Sequence, residues 1–260
     1  MMEVVLLPLP DVLKQISHEV RWNLVQHLSH SDYRVQDLVA TLHLPQNLVS
    51  YHLKQLRRGH LVTERRSSAD GRDIYYSLDL QTLRQHFLAT GAAIHPVLSA
   101  DVIARDAGNW HLPSQPLRIL FLCTKNSARS QIAEGLLKHL SGGHVVVESA
   151  GSTPTVLHPA ARRAMAKIGI DISHQRSKHV DEVMHQEFDL VVTVCDRMRE
   201  VCPTFADTPR RIHWSVLDPV ETVGSDQQVD RAFEQTVEHL VIRVNLLLTE
   251  LEQRGKSSEQ

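Results

Sequence analysis

The sequence predicts an α/β fold built on a parallel, doubly wound sheet and preceded by a smaller, mainly α domain. Three observations carry that prediction. From Leu117 onward, apolar runs of strand length alternate with amphipathic helical stretches. Before Ala89 the apolar residues recur at helical spacing, with one two-strand pattern near the end. Between the two halves, periodicity is lost over residues 96–116, which Pro96, Gly108, Pro113 and Pro116 punctuate. A chain of 260 residues accommodates two ordinary domains. The expected division is residues 1–95, a linker at 96–116, and a second domain at 117–255.

In the first half, Trp22, Leu24, Val25 and Leu28 share one helical face, and Val35–Leu42 forms a second, short helix. His43-Leu44-Pro45 breaks the pattern. Gln46–Arg58 then presents Leu48, Val49, His52, Leu53 and Leu56 as its apolar side, with Gly59 as its stop. Leu61–Arg65 and Ile74–Leu78 read as two strands joined by the turn Ala69-Asp70-Gly71-Arg72. Two short helices, a tight turn and a basic hairpin make a winged helix-turn-helix. In the second half the expected strands are Arg118–Cys123, His144–Ser149, Asp189–Val194 and Arg211–Val216. The expected helices are Ala128–Leu140, Pro159–Ile168, Val180–Met184 and Asp226–Arg254. In such a sheet the site lies at the carboxyl ends of the strands. The linker segment Val97–Ala104 is compatible with a further helix.

Composition narrows the function classes. An apolar share of 42% with 22% charged residues is that of a globular protein. No apolar run is long enough to span a bilayer, and the first residues carry no positively charged leader, so a cytoplasmic protein without membrane association is expected. Three cysteines give no disulfide framework and fit a reducing compartment. The net charge of −2 is uninformative, but residues 54–72 hold six basic side chains against two acidic ones. That local stripe suits phosphate contact.

The cysteines carry the chemistry. Cys123 opens a loop, Cys123-Thr124-Lys125-Asn126-Ser127-Ala128-Arg129-Ser130, between a strand and a helix. Backbone N–H groups and the helix dipole at such a turn favour an oxyanion, and Arg129 adds a bidentate fork. The same field stabilises a thiolate on Cys123, with the Ser130 hydroxyl as donor. Asn126, in mid-loop, is placed to hold an unusual backbone conformation. Cys195 and Cys202 follow as a Cys-x6-Cys pair able to relay oxidation away from Cys123. The blander readings are a buried structural cysteine beside a surface arginine, and two core cysteines without chemistry.

Ile119–Gly135, Ser149-Ala150-Gly151, Asp171-Ile172-Ser173 and Asp189–Cys195 resemble the low-molecular-weight tyrosine phosphatase superfamily, and within it the thioredoxin-linked arsenate reductases. The resemblance covers Leu117 to about Leu251 and implies a sheet of that phosphatase type. It implies Asp218, in Asp218-Pro219, as general acid, Cys123 as nucleophile, and Arg129 with the loop residues Thr124, Lys125, Asn126, Ser127, Ala128 and Ser130 as oxyanion holders. It also implies that Cys195 and Cys202 complete a disulfide relay, with arsenate as substrate, phosphate as competitor and thioredoxin as external reductant. No bound cofactor is expected. A phosphatase is the alternative; it needs neither Cys195 nor Cys202. Phosphatases of this fold carry aromatics after the Asp-Pro, where this chain has Val220-Glu221. Lys125 stands where glycine is common, either adding charge at the mouth or facing solvent. Some relatives bind potassium near this loop, and Asn126, Glu134 and Ser149 match part of that site. Arg176 and Lys178 replace its other ligands, so no metal is expected.

Residues 11–89 resemble the ArsR-type winged-helix repressors. The resemblance implies a homodimer, through the amino-terminal helices and Gln81–Thr90, on a double-stranded DNA operator. Gln46, Asn47, Ser50, Tyr51, Lys54 and Gln55 fall on the outward face of the second helix, where they reach base edges. Arg57, Arg65, Arg66 and Arg72 are expected on phosphates. The alternative is a solvated basic face on a protein-interaction module. No cysteine precedes position 123, so an arsenite site of the usual cysteine kind is absent from this half. The nine histidines of residues 1–115 show no firm metal-ligand spacing and read as surface or packing residues, a zinc site shared across a dimer being the alternative. Two functions stay open: an arsenate reductase fused to a DNA-binding domain, and a regulator whose phosphatase-fold half senses arsenic or redox state.

Overall fold

The computed structural model describes residues 9–69, 71–94, 116–202, 205 and 210–258, which fold as two units. In the first, α1 (Asp11–Ile16), α2 (Glu19–His30), α3 (Val35–Leu42), α4 (Gln46–Arg58) and α5 (Leu80–Ile94) accompany a small antiparallel sheet. Its strands are β1 (Tyr33–Arg34), β2 (Val62–Arg66) and β3 (Ile74–Leu78), in the order β1-β3-β2. Leu24, Leu28, Leu38, Leu53, Leu56 and Leu61 are at most 1% exposed and form the core. Each stabilises this small unit by about 1.5–3 kcal/mol relative to an exposed side chain. Arg34 joins the elements: its backbone N–H donates to Asp37 at the start of α3, and its guanidinium reaches Asp73 at 2.6 Å.

The two-helix motif follows the expected order, with His43 in the left-handed region (φ 53°) at the turn between α3 and α4. One expectation is corrected: Trp22 is 47% exposed, because α2 turns Leu24, Val25 and Leu28 inward instead. Helix α4 ends at Arg58 with Gly59 as its cap, as expected, at φ −82°, and the left-handed residue is the next one, His60 (φ 57°). A Cβ at Gly59 would lie 2.9 Å from Gln15 Cδ, a contact that the flexible Gln15 side chain relieves by moving. Strand β1 is too short to leave a sequence period. Of the expected linker only Pro116 falls among the described residues, and Val97–Ala104 lies outside them.

The second unit contains β4 (Arg118–Cys123), α6 (Arg129–Leu140), β5 (Val146–Gly151), α7 (Pro159–Lys167), β6 (Leu190–Thr193), α8 (Asp196–Glu200), β7 (Arg210–His213) and α9 (Asp226–Ser258). The four strands are parallel, in the order β5-β4-β6-β7. Because β4 is first in sequence and second in space, the chain winds outward on both sides of it. The crevice at its carboxyl end is therefore the switch point of the sheet, and Cys123 is the last residue of β4. Ile119, Leu120, Phe121 and Leu122 are fully buried, as a central parallel strand requires. Helix α9 packs on α6 and α7, and α8 lies against β4 and β6.

Three boundaries differ from those expected. Strand β5 runs from Val146 to Gly151, set by its register Arg118↔Val146 through Cys123↔Gly151. Strand β7 stops at His213, where Trp214 and Val216 turn toward the carboxyl edge through Trp214 N–H to Thr193 O and Val216 N–H to Trp214 O. Val180–Met184 contains only a single 3-10 turn, Val180–Glu182, closed by His179 N–H donating to Glu182. Among the described residues no helix is long and apolar enough to cross a membrane.

Candidate active site

The residues after Cys123 fold back on its sulfur. Asn126 holds φ 45°, a left-handed conformation that asparagine tolerates better than most residues, and its N–H donates to Cys123 Sγ at 3.1 Å. Its side chain is fully buried and tied on every side. Lys178 N–H donates to Oδ1 (2.8 Å), which makes the other atom the amino group; Nδ2 donates to Ser130 Oγ (2.9 Å) and Ser149 Oγ (2.8 Å). Ser130 Oγ, which accepts from Asn126, also lies 2.9 Å from Cys123 Sγ, where either atom can donate. A backbone N–H and a hydroxyl thus converge on the sulfur.

The loop backbone is braced from outside. Thr153, Thr155 and His158 N–H groups donate to the carbonyls of Thr124, Lys125 and Ser127 at 2.8–2.9 Å. Gln131 Nε2 and Ser177 Oγ both donate to Asn126 O. Gly151, beside Cys123 in the sheet, leaves room for this: a Cβ there would meet Thr124 O at 2.5 Å and Cys123 O at 2.8 Å. Lys125 is exposed.

Arg129, the first residue of α6, is 7% exposed. Its Nη1 donates to Val216 O (2.9 Å) and its Nη2 to Asp218 Oδ2 (2.6 Å). The other carboxylate oxygen of Asp218 caps the 3-10 turn Pro219–Glu221 through Val220 N–H. A carboxyl group and a guanidinium separated by 89 residues in sequence thus meet beside the Cys123 loop.

Cys195 caps the amino end of α8, is 2% exposed, and lies 3.4 Å from Thr124 Oγ1 on the Cys123 loop. Burial, and next the Cys123 charge, push its thiol above the ordinary range, against the pull of Arg129 and the Thr124 hydrogen bond. Cys202 follows α8, is half-buried, and packs against the core of this unit. Burial raises its thiol as well. The structure therefore brings Cys123, Asn126, Ser130, Arg129, Asp218 and Cys195 together, but leaves Cys202 beyond a formed helix. Gln131, Ser177 and the Lys178 N–H, which fix the loop, were missed in the sequence because their contacts depend on the return of a distant segment. Of the residues matching the potassium site, Asn126 and Ser149 bond each other, and Glu134 pairs with Lys138 at 2.5 Å. Among the described residues no group of three or more His, Cys, Asp or Glu side chains is placed to hold a metal.

In the first unit, Gln46, Asn47, Ser50, Tyr51 and Lys54 are exposed along one face of α4, opposite the buried Val49, His52, Leu53 and Leu56. Arg66 and Arg72 are exposed near the β2–β3 turn and Arg65 is half-buried, while Arg57 is engaged in an ion pair with Glu64 of β2.

The second half matches the family model for low molecular weight phosphotyrosine protein phosphatase over residues 118–257, and the chain belongs to that family. Residues 18–64 match the model for bacterial regulatory protein, arsR family. Among curated relatives, an arsenate reductase of Halalkalibacterium halodurans is 40% identical over 126 residues, 48% of this chain and 91% of that protein. One of Bacillus subtilis is 38% identical over 138 residues, 53% of this chain and 96% of that protein. A solved structure described as an arsenate reductase in the phosphate binding state is 30% identical, covering 52% of this chain and 98% of its own, with a TM-score of 0.46.

Proposed function

We propose that the protein reduces arsenate to arsenite by a three-cysteine relay with thioredoxin as reductant, while its helix-turn-helix reads a double-stranded DNA operator. The observation that carries the reading is the second thiol. Cys195 touches the loop that holds Cys123, a placement that phosphate-ester hydrolysis does not need. The relatives named arsenate reductase support the choice of anion, and phosphate, of the same shape, competes for the loop.

The steps follow from the geometry. Cys123 thiolate, held by Asn126 N–H and the Ser130 hydroxyl, attacks arsenic, while Asp218 delivers a proton to the departing oxygen. The Arg129 guanidinium exchanges part of its hold on Asp218 for the oxyanion, with Thr124, Lys125, Asn126, Ser127 and Ala128 framing the loop. Cys195 thiolate then attacks Cys123 Sγ. The sulfur–arsenic bond breaks with its electron pair left on arsenic, so arsenate becomes arsenite as the two thiols become a disulfide. Cys202 thiolate displaces Cys123, and the Cys195–Cys202 disulfide is reduced by thioredoxin. No step needs a bound cofactor or metal, and the thiols require a reducing compartment such as the cytoplasm. The test is arsenate-dependent NADPH oxidation with thioredoxin and thioredoxin reductase. Turnover supports the relay. Its absence, with Cys123-dependent hydrolysis of an aryl phosphate, moves the assignment to a phosphatase and makes the sensor reading the better account of the fusion.

On the DNA side, residues 1–95 form the reading domain and 96–116 the tether to the enzyme domain at 117–255. A homodimer is supported by α5, which exposes Phe87 (44%) and Ile94 (73%). Arg66→Ala is expected to weaken binding uniformly across operator sequences and to reduce the slope of log affinity against log salt by about 0.9. Gln46→Ala is expected to relax preference at one base pair, by about 1–3 kcal/mol of discrimination, with the salt slope unchanged. Fluorescence anisotropy across a salt series measures both.

A further inference from the structure

The residue after Cys195 is a buried carboxylate that the relay chemistry does not use. Asp196 is the first residue of α8 and has no exposed surface. Its Oδ1 accepts from Ser215 Oγ at 2.6 Å and faces His213 Nε2 at 3.2 Å. The other ring nitrogen, Nδ1, lies 3.2 Å from Thr193 O and 2.8 Å from Thr193 Oγ1. Asp196, His213, Ser215 and Thr193 are all at most 6% exposed. Every polar atom of the imidazole thus has a partner, a carboxylate at Nε2 and Thr193 at Nδ1. The network ties the start of α8 to the ends of β6 and β7 by buried hydrogen bonds.

The far end of α8 is held differently. The helix has five residues, too few to be stable without tertiary support. Glu200 and Val201 at its end are exposed, and Cys202 is half-buried. A helical rise of about 1.5 Å per residue keeps Cys195 and Cys202 about 10 Å apart. A disulfide needs their Cα atoms within about 7 Å, so α8 must unwind for Cys202 to reach Cys195.

We propose that Asp196, with His213 and Ser215, is a positioning residue for the resolving step: it pins Cys195 beside the Cys123 loop while α8 unwinds from its carboxyl end. The proposal rests on the arsenate relay. Attack of Cys195 on Cys123 Sγ, which forms the disulfide and leaves the sulfur–arsenic electron pair on arsenic, requires Cys195 to stay within reach of the adduct. Displacement by Cys202 requires only Cys202 to travel.

The experiment is a single turnover of the reduced full chain with arsenate and no thioredoxin, following arsenite release by rapid quench across arsenate concentrations. Asp196→Asn is expected to lower the limiting rate about 10- to 100-fold, as a displacement of about 1 Å at a reacting group does. The half-saturating arsenate concentration and the phosphate-protected alkylation of Cys123 should stay near their wild-type values. Ser215→Ala, which removes one hydrogen bond, should show the same split at smaller size and decides the matter where Asp196→Asn fails to fold. An unchanged limiting rate in either folded variant overturns the proposal, as does loss of arsenate affinity and Cys123 reactivity in step with the rate. A wild type that releases no arsenite overturns the relay reading itself, and the pivot with it.

Discussion

Cys202→Ser protein, reduced and mixed with arsenate, thioredoxin, thioredoxin reductase and NADPH, is expected to release a single arsenite per chain and then stop. Cys123 and Cys195 already lie on one loop surface, linked through Thr124, so the first disulfide forms without Cys202. That disulfide joins two sulfurs that are each 2% exposed. An external thiol has no access to it, because thiol–disulfide exchange needs the attacking thiolate to reach a sulfur. In the proposed relay Cys202 carries the oxidation outward, being the more exposed of the resolving pair. Quantifying arsenite by rapid quench, with NADPH consumption in parallel, should show a burst in the variant and no steady state. Continued turnover at the wild-type rate would place the exit of the disulfide elsewhere.

Arg129→Ala is expected to produce the second large loss. Its guanidinium is the cation of the loop and is buried against Asp218 and the Val216 carbonyl. Removing one preorganised donor from an oxyanion site costs about 100- to 1,000-fold in turnover. The same change leaves Asp218, whose side chain is 14% exposed, without its cation. Breaking a buried pair by deleting one partner destabilises by about 3–5 kcal/mol, so the melting temperature should fall as well. Arg129→Ala combined with Asp218→Asn isolates the effect on stability: the melting temperature should recover in part because no charge is stranded. A melting temperature that does not recover would mean that the loss in Arg129→Ala does not come from the stranded carboxylate.

The local chemistry of the site was legible in the sequence. Cys123 at a strand end, the helix start near Arg129, and an asparagine in mid-loop are features of consecutive residues, and hydrophobic period and turn chemistry report those directly. The two-domain layout followed from a change of period, from helical spacing before Ala89 to alternating strands and helices after Leu117. The same reasoning failed where a helix has two plausible inward faces, as at Trp22, and where a partner strand sets the register, as in the displacement of β5 toward Gly151.

The sequence by itself determined which residues form the loop after Cys123, that two further thiols follow it, and that a basic helix-turn-helix precedes them, because each is encoded within a dozen residues. Only the tertiary structure decided that Arg129 closes on Asp218, that Lys125 is exposed while Asn126 is buried, and that Asp196 is tied to His213 and Ser215. Those pairings depend on the order β5-β4-β6-β7, which brings the carboxyl ends of β4, β6 and β7 to one edge. No local pattern encodes that order, because strand pairing joins segments far apart in sequence.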